Sequence, residues 1–263
     1  MIKRLLTSFI GLALFFGVLF FPYNELFVVA VLGITLIAIY EIHNAVCKKK
    51  SLLIVGFLMS MLICVANLKN NLEFGLLILL AVYLLMSVIE FGKTEVKTVY
   101  MLGFATAVYS TFISTIAIIK VEYNVAVTLL PFILSWITDS GAYFVGCSIG
   151  KHKLIPNLSP KKTVEGAIGG IVACVLISLL YVFVLDKMGI SIFGGNDYLK
   201  MLIVSLVGSL ISQLGDFASS AIKREFNVKD FGNILPGHGG VLDRFDSIIF
   251  VAPFVYYILT FIV

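Results

Sequence analysis

The second half of this chain gathers polar and ionisable residues at spacings that suit a site better than a solvated surface. Ser209, Ser212, Gln213, Asp216, Ser219, Ser220 and Lys223 recur at three- and four-residue intervals. That spacing places them on one face of a helix, with Leu206, Leu210, Leu214 and Phe217 on the others. Serines alone would fit an interhelical hydrogen-bond seam. A stripe that also carries Asp216 and Lys223 suggests a water-filled cavity. The next segment combines Lys223, Arg224, Lys229 and Asp230 with Pro236-Gly237-His238-Gly239-Gly240 and the acids Asp243 and Asp246. If a helix begins near Asp243, then Asp243, Asp246 and Ser247 share a face. Carboxylate oxygens suit magnesium, which commonly takes one or two carboxylates plus substrate phosphates. Lysines and glycine amides suit the phosphates themselves.

Two upstream features extend this pattern. Asp139 lies in an apolar run, Ser135-Trp-Ile-Thr-Asp-Ser-Gly. An acid near a membrane helix centre costs about 2.5–3.5 kcal/mol on insertion scales, so such acids are functional by default. The segment Ser159-Pro-Lys-Lys-Thr-Val-Glu165 reads as a helix start. Ser159 would be the cap and Pro160 the first helical position, leaving Lys161, Lys162 and Thr163 on the first turn, where a helix N-terminus attracts phosphate. There is no Walker A pattern, so this is not a P-loop. Gly166 and Gly170 form a GxxxG-type close-packing pair.

The elements that must hold these residues are membrane helices. Of 263 residues, 60% are hydrophobic and 13% charged, with mean hydropathy +1.08; a soluble domain would carry about 25% charged residues. Nine continuous apolar runs are long enough to span as helices: 5–21, 26–46, 51–68, 72–91, 99–119, 125–145, 164–185, 199–222 and 247–263. The first, behind Lys3 and Arg4, reads as a retained helix rather than a signal peptide. With the N-terminus cytoplasmic, only Lys69, Lys120, Lys187 and Lys200 fall outside, and every other Lys and Arg falls inside. The expected fold is therefore all-α, a polytopic transmembrane helix bundle of about nine spans. Residues 1–120 would be scaffold, and 125–263 would carry the catalytic spans and cytoplasmic loops. In the scaffold Glu41, His43 and Glu90 lie near cytoplasmic span ends, where snorkelling to the interface is expected. The net charge of +4 gives no reason to invoke nucleic acid. Cys47, Cys64, Cys147 and Cys174 have neither disulfide-framework nor zinc spacing.

From Ser220 to Asp246 the sequence reads Ser-x-x-Lys-Arg, four residues, Lys-Asp, then Pro-x-His-Gly-Gly, two residues, Asp-Arg-x-Asp. This resembles the signature of the phosphatidate cytidylyltransferase (CDP-diacylglycerol synthase) family at every fixed position. Asp139-Ser-Gly-Ala-Tyr, Lys161-Lys-Thr-x-Glu-Gly and Gln213-Leu-Gly-Asp216 also resemble it, and residues 1–120 match only as generic spans. Cys147 departs from the arginine expected there in many members. The resemblance implies that CTP and phosphatidate give CDP-diacylglycerol and pyrophosphate with Mg2+, at the cytoplasmic face of a bacterial plasma membrane. It implies Asp216 and Asp243 as metal ligands, with Asp246, Lys223 and Arg244 completing the catalytic set. Substrate contacts are implied for Asp139, Ser159, Lys161, Lys162, Thr163, Glu165, Ser220, Arg224, Lys229, Asp230, His238, Gly239 and Gly240. A homodimer is compatible with the sequence. The rival readings are a CTP-dependent polyprenol kinase, which would need a general base, and a multi-pass transporter, which would not need the Asp-Arg-x-Asp loop.

Overall fold

A computed structural model describes residues 2–235, 237 and 239–262. Apart from one short hairpin, the described elements are helices. Eight of them are long and apolar enough to cross a membrane, so the chain is an all-α, integral, multi-pass membrane protein. The ninth expected span corresponds to α1 (Ile2–Leu19), of which the stretch Phe9–Leu19 is shorter than a full crossing.

The chain divides into two compact units. The first comprises Met1–Glu122 together with Phe226–Phe245. It contains α1, α2 (Asn24–Val46), α3 (Lys50–Leu68), α4 (Leu72–Ile89) and α5 (Val96–Glu122). α4 shows why these runs become membrane helices. Gly75, Leu79, Tyr83 and Met86 are buried along one stripe, whereas Phe74, Leu77, Leu80, Leu84 and Val88 stand exposed on the other. An apolar residue on the outer face belongs in lipid, because in water it would form the large exposed apolar surface that soluble proteins avoid. Several polar groups inside the unit pair with one another across helices. Asn67 Nδ2 donates to Thr111 O (3.2 Å) and Ser114 Oγ (2.8 Å), and Tyr83 OH lies 2.9 Å from Thr106 Oγ1.

The second unit comprises Tyr123–Glu225 and Asp246–Val263. It contains α6 (Val125–Thr128), α7 (Leu130–Ile149), β1 (Lys153–Ile155), β2 (Ser159–Thr163), α8 (Val164–Lys187), α9 (Asp197–Glu225) and most of α10 (Leu242–Ile262). α7 and α8 pack with their backbones nearly touching. A Cβ on Gly166 would meet Ala142 O at 2.7 Å, and one on Gly170 would meet Thr138 O at 2.7 Å. This is the close approach that the GxxxG spacing predicts, and it fixes the helix that carries Asp139.

Two expectations are corrected here. The segment Ser159–Thr163 does not open a helix; it is a strand paired antiparallel with β1, Lys153 opposite Thr163 and Ile155 opposite Ser159. Pro160 fits such a two-stranded edge because it has no ladder N–H to lose. The cap of α8 falls instead on Thr163, whose Oγ1 accepts from Gly166 N at 3.1 Å. The polar stripe of α9 is also not a water-filled cavity along its length. Ser209, Ser212 and Ser219 are fully buried, Ser209 donates to Leu206 O, and Gln213 Nε2 donates to Ala167 O at 3.2 Å. Most of the stripe is therefore a packed seam, and only its charged end is open to chemistry.

Candidate active site

The second unit draws three carboxylates from three helices into electrostatic range of one another: Asp139 on α7, Asp216 on α9 and Asp246 on α10. Two ammonium groups answer them. Lys162 pairs with Asp216 Oδ2 and sits 4.3 Å from the Phe217 ring centroid. Lys223 Nζ lies 3.8 Å from Asp246 Oδ2. Ser247 ties the remaining acid in, its Oγ donating to Asp139 Oδ2 at 3.1 Å while its N donates to Asp246 Oδ1 at 2.9 Å. These charged side chains keep between 13% and 28% of their exposure. They are reachable by a ligand, yet sheltered enough for their charges to interact more strongly than in water.

The hairpin explains how Lys162 arrives there. In an extended strand, neighbouring side chains point to opposite faces, so Lys162 turns to Asp216 while Lys161 is exposed. Glu165 braces the base of the hairpin: it accepts from Lys151 N (3.1 Å) and His152 N (3.2 Å) and pairs with His152 Nδ1 at 2.6 Å. Arg224 Nε, at the end of α9, donates to Leu158 O at 3.4 Å. Ser220 is half-buried on the same helix.

The first unit holds the loop Phe226–Phe245 in a different way, through carboxylates that accept backbone amides. Asp243 Oδ2 accepts from Phe231 N (2.9 Å) and Gly240 N (3.0 Å). Glu41, from α2, accepts from Val241 N with Oε1 (2.9 Å) and from Leu242 N with Oε2 (2.8 Å). Leu235 N donates to Gly239 O at 2.9 Å, closing a turn in which Gly237 and Gly239 adopt φ of +80° and +82°, values that favour glycine. Lys229, Asp230 and Arg244 are exposed on this loop. His238, expected at the substrate, lies outside the described residues. α10 opens at Leu242, so Asp243, Asp246 and Ser247 fall at the three- and four-residue spacing expected of one helix face.

A family model described as "Cytidylyltransferase family" matches residues 2–262. The chain belongs to the cytidylyltransferase family. Among curated relatives, it is 47% identical to a phosphatidate cytidylyltransferase of Bacillus subtilis (strain 168) over 138 residues, 52% of this chain and 49% of the relative. It is 48% identical over 125 residues to a protein of the same name from Staphylococcus haemolyticus (strain JCSC1435), covering 48% of this chain and 45% of the relative. The corresponding protein of Staphylococcus aureus (strain COL) is 49% identical over 125 residues. The chain thus spans about half the length of the curated relatives it matches.

In this cytidylyltransferase family member, the donor set around Asp216 suits a hard cation. No three His, Cys, Asp or Glu side chains form a ready metal cage among the described residues. Magnesium does not need one, because substrate phosphates complete its shell. The carboxylates of Asp139, Asp216 and Asp246 supply oxygen donors of the kind a hard cation takes, beside the ammonium groups of Lys162 and Lys223.

Glu41 is the functional candidate that sequence reasoning assigned elsewhere. It does not snorkel: Glu41 is 1% exposed and His43 fully buried, with His43 Nδ1 2.9 Å from Ile39 O. The signal was the acid itself, since an intramembrane carboxylate needs a partner. That partner is backbone 200 residues downstream, and no side-chain spacing encodes it.

Proposed function

We propose that this chain is a phosphatidate cytidylyltransferase, forming CDP-diacylglycerol and pyrophosphate from CTP and phosphatidate. The observation that carries this reading is the cluster of Asp139, Asp216 and Asp246 answered by Lys162 and Lys223. The name borne by relatives at 47–49% identity supports it, as does the Ser220–Asp246 signature.

A phosphate oxygen of phosphatidate attacks the α-phosphorus of CTP, a new P–O–P bond forms, and the α–β bond breaks to release pyrophosphate. The nucleophile is already an anion, so no general base is required; a kinase acting on a lipid alcohol would need one. Catalysis then rests on alignment and charge neutralisation. Lys162 and Lys223 pair with Asp216 and Asp246, and each can turn from its carboxylate to a phosphate of the nucleotide. Lys161, Arg224, Lys229 and Arg244 are further cations for the polyanions; Ser159, Thr163, Glu165, Ser220, Asp230, His238, Gly239 and Gly240 are proposed to contact substrate or shape those contacts. Asp216 is the carboxylate assigned to Mg2+, which would supply charge neutralisation of the departing pyrophosphate, and Asp243 holds the loop that carries Lys229, Asp230 and Arg244. The positive-inside charge distribution supports a cytoplasmic site, where soluble CTP meets a lipid phosphate.

The test is to incubate the purified chain with labelled CTP, magnesium and phosphatidate vesicles and to extract the lipid. Labelled CDP-lipid with equimolar pyrophosphate is expected. Label that never enters the lipid phase refutes the reading.

A further inference from the structure

We infer that Glu41 is a positioning residue for the reaction, acting from the scaffold half of the chain through the backbone of the signature loop. The inference rests on the activity proposed above and adds a residue outside the motifs that point to it. Glu41 lies on α2, 1% exposed, and its two carboxylate oxygens take separate amides: Oε1 that of Val241 and Oε2 that of Leu242. These are the amides at the opening of α10, which have no partner inside their own helix. A carboxylate there satisfies two donors and also faces the positive end of the helix.

The surrounding chain is built to admit this one group. A Cβ at Gly232 would collide with Glu41 Oε1, and a Cβ at Gly240 would sit 2.6 Å from Oε2. Both glycines therefore leave room for the carboxylate on either side of the turn. Together with Asp243, which takes the amides of Phe231 and Gly240, Glu41 fixes four loop amides with two carboxylates. Lys229, Asp230, Gly239 and Arg244 hang on the segment so held. A residue that merely filled space would be replaced without loss by its isostere. Glutamine cannot serve, because it keeps one acceptor oxygen and points an NH2 group at an N–H donor.

The experiment compares wild type, Glu41→Gln and Gly240→Ala in full-length protein. It measures hydrogen exchange of peptides covering residues 231–242 alongside kcat/KM for CTP. Both variants are expected to raise exchange in that segment at least tenfold and lower kcat/KM at least tenfold, with exchange in α4 and α8 unchanged. Glu41→Gln within twofold of wild type in either quantity overturns the inference, as does lost activity with the loop still protected. If Glu41→Gln does not fold, Gly240→Ala decides on the same criteria, and failure of both to fold overturns a role confined to the loop. A wild type that makes no CDP-lipid defeats the proposed activity instead, and the exchange data still report on the loop.

Discussion

Glu41 and Asp243 of the first unit and Asp216 and Asp246 of the second are matched with different partners, and the partners indicate what each acid can do. In the first unit, Glu41 and Asp243 are satisfied by backbone amides. An amide in a folded loop cannot leave, so those carboxylates hold shape. In the second unit, Asp216 and Asp246 face the ammonium groups of Lys162 and Lys223. A lysine on a flexible stem can exchange a carboxylate for a phosphate, and the carboxylate it releases can meet a cation. One chain thus uses the same functional group for rigidity in one place and for exchangeable charge in another.

Substitutions that remove charge while keeping shape separate the two classes. The largest effects are expected at Asp216 and Asp243. Asp216→Asn should lower kcat by about a thousandfold, roughly 4 kcal/mol of transition-state stabilisation, without lowering the thermal midpoint. Asp243→Asn should abolish turnover too, but it should also lower the midpoint. It replaces the charged oxygen that accepts from both Phe231 N and Gly240 N with a neutral one, at a cost of about 1–3 kcal/mol. If both variants kept wild-type stability, the distinction between holding and exchanging acids would fail. Lys162→Met should raise KM for CTP about tenfold, roughly 1.4 kcal/mol, and steepen the magnesium dependence; an unchanged KM would remove Lys162 from the nucleotide. The smallest effect tests a lysine-answered acid in the first unit. Glu90, at the end of α4, pairs with Lys49 and accepts from Ser51 Oγ at 3.0 Å. The Lys49 ammonium holds its carboxyl below the ordinary value. A depressed acid adds stability above its unfolded value and loses it as pH falls through the folded one. Glu90→Gln should therefore lower stability slightly at neutral pH, flatten the acid side of a stability–pH curve and leave turnover unchanged.

The sequence was informative where the physics is local. The apolar runs that become α2 to α10 are read directly from length and hydropathy, because the bilayer thickness sets both. The i, i+3 and i+4 pattern of α9 put Asp216 and Lys223 on one face, and the glycines at 166 and 170 marked a close helix contact. It was uninformative where two distant segments meet. Lys162 and Asp216 are 54 residues apart, and their pairing depends on a strand where Ser159-Pro160 imitates a helix cap. The buried serines of α9 look like the lining of a water-filled cavity until their neighbours are known. Glu41 resembled an interfacial acid because its partners are amides, which every sequence contains everywhere.

The central claim is that the lysine-answered carboxylates of the second unit carry the chemistry. Its most direct test is the turnover of Asp216→Asn with labelled CTP, magnesium and phosphatidate, measured beside its thermal midpoint. The predicted result is a loss of about a thousandfold in kcat with a midpoint no lower than wild type. Turnover within tenfold of wild type would contradict the claim, and so would a loss explained by unfolding.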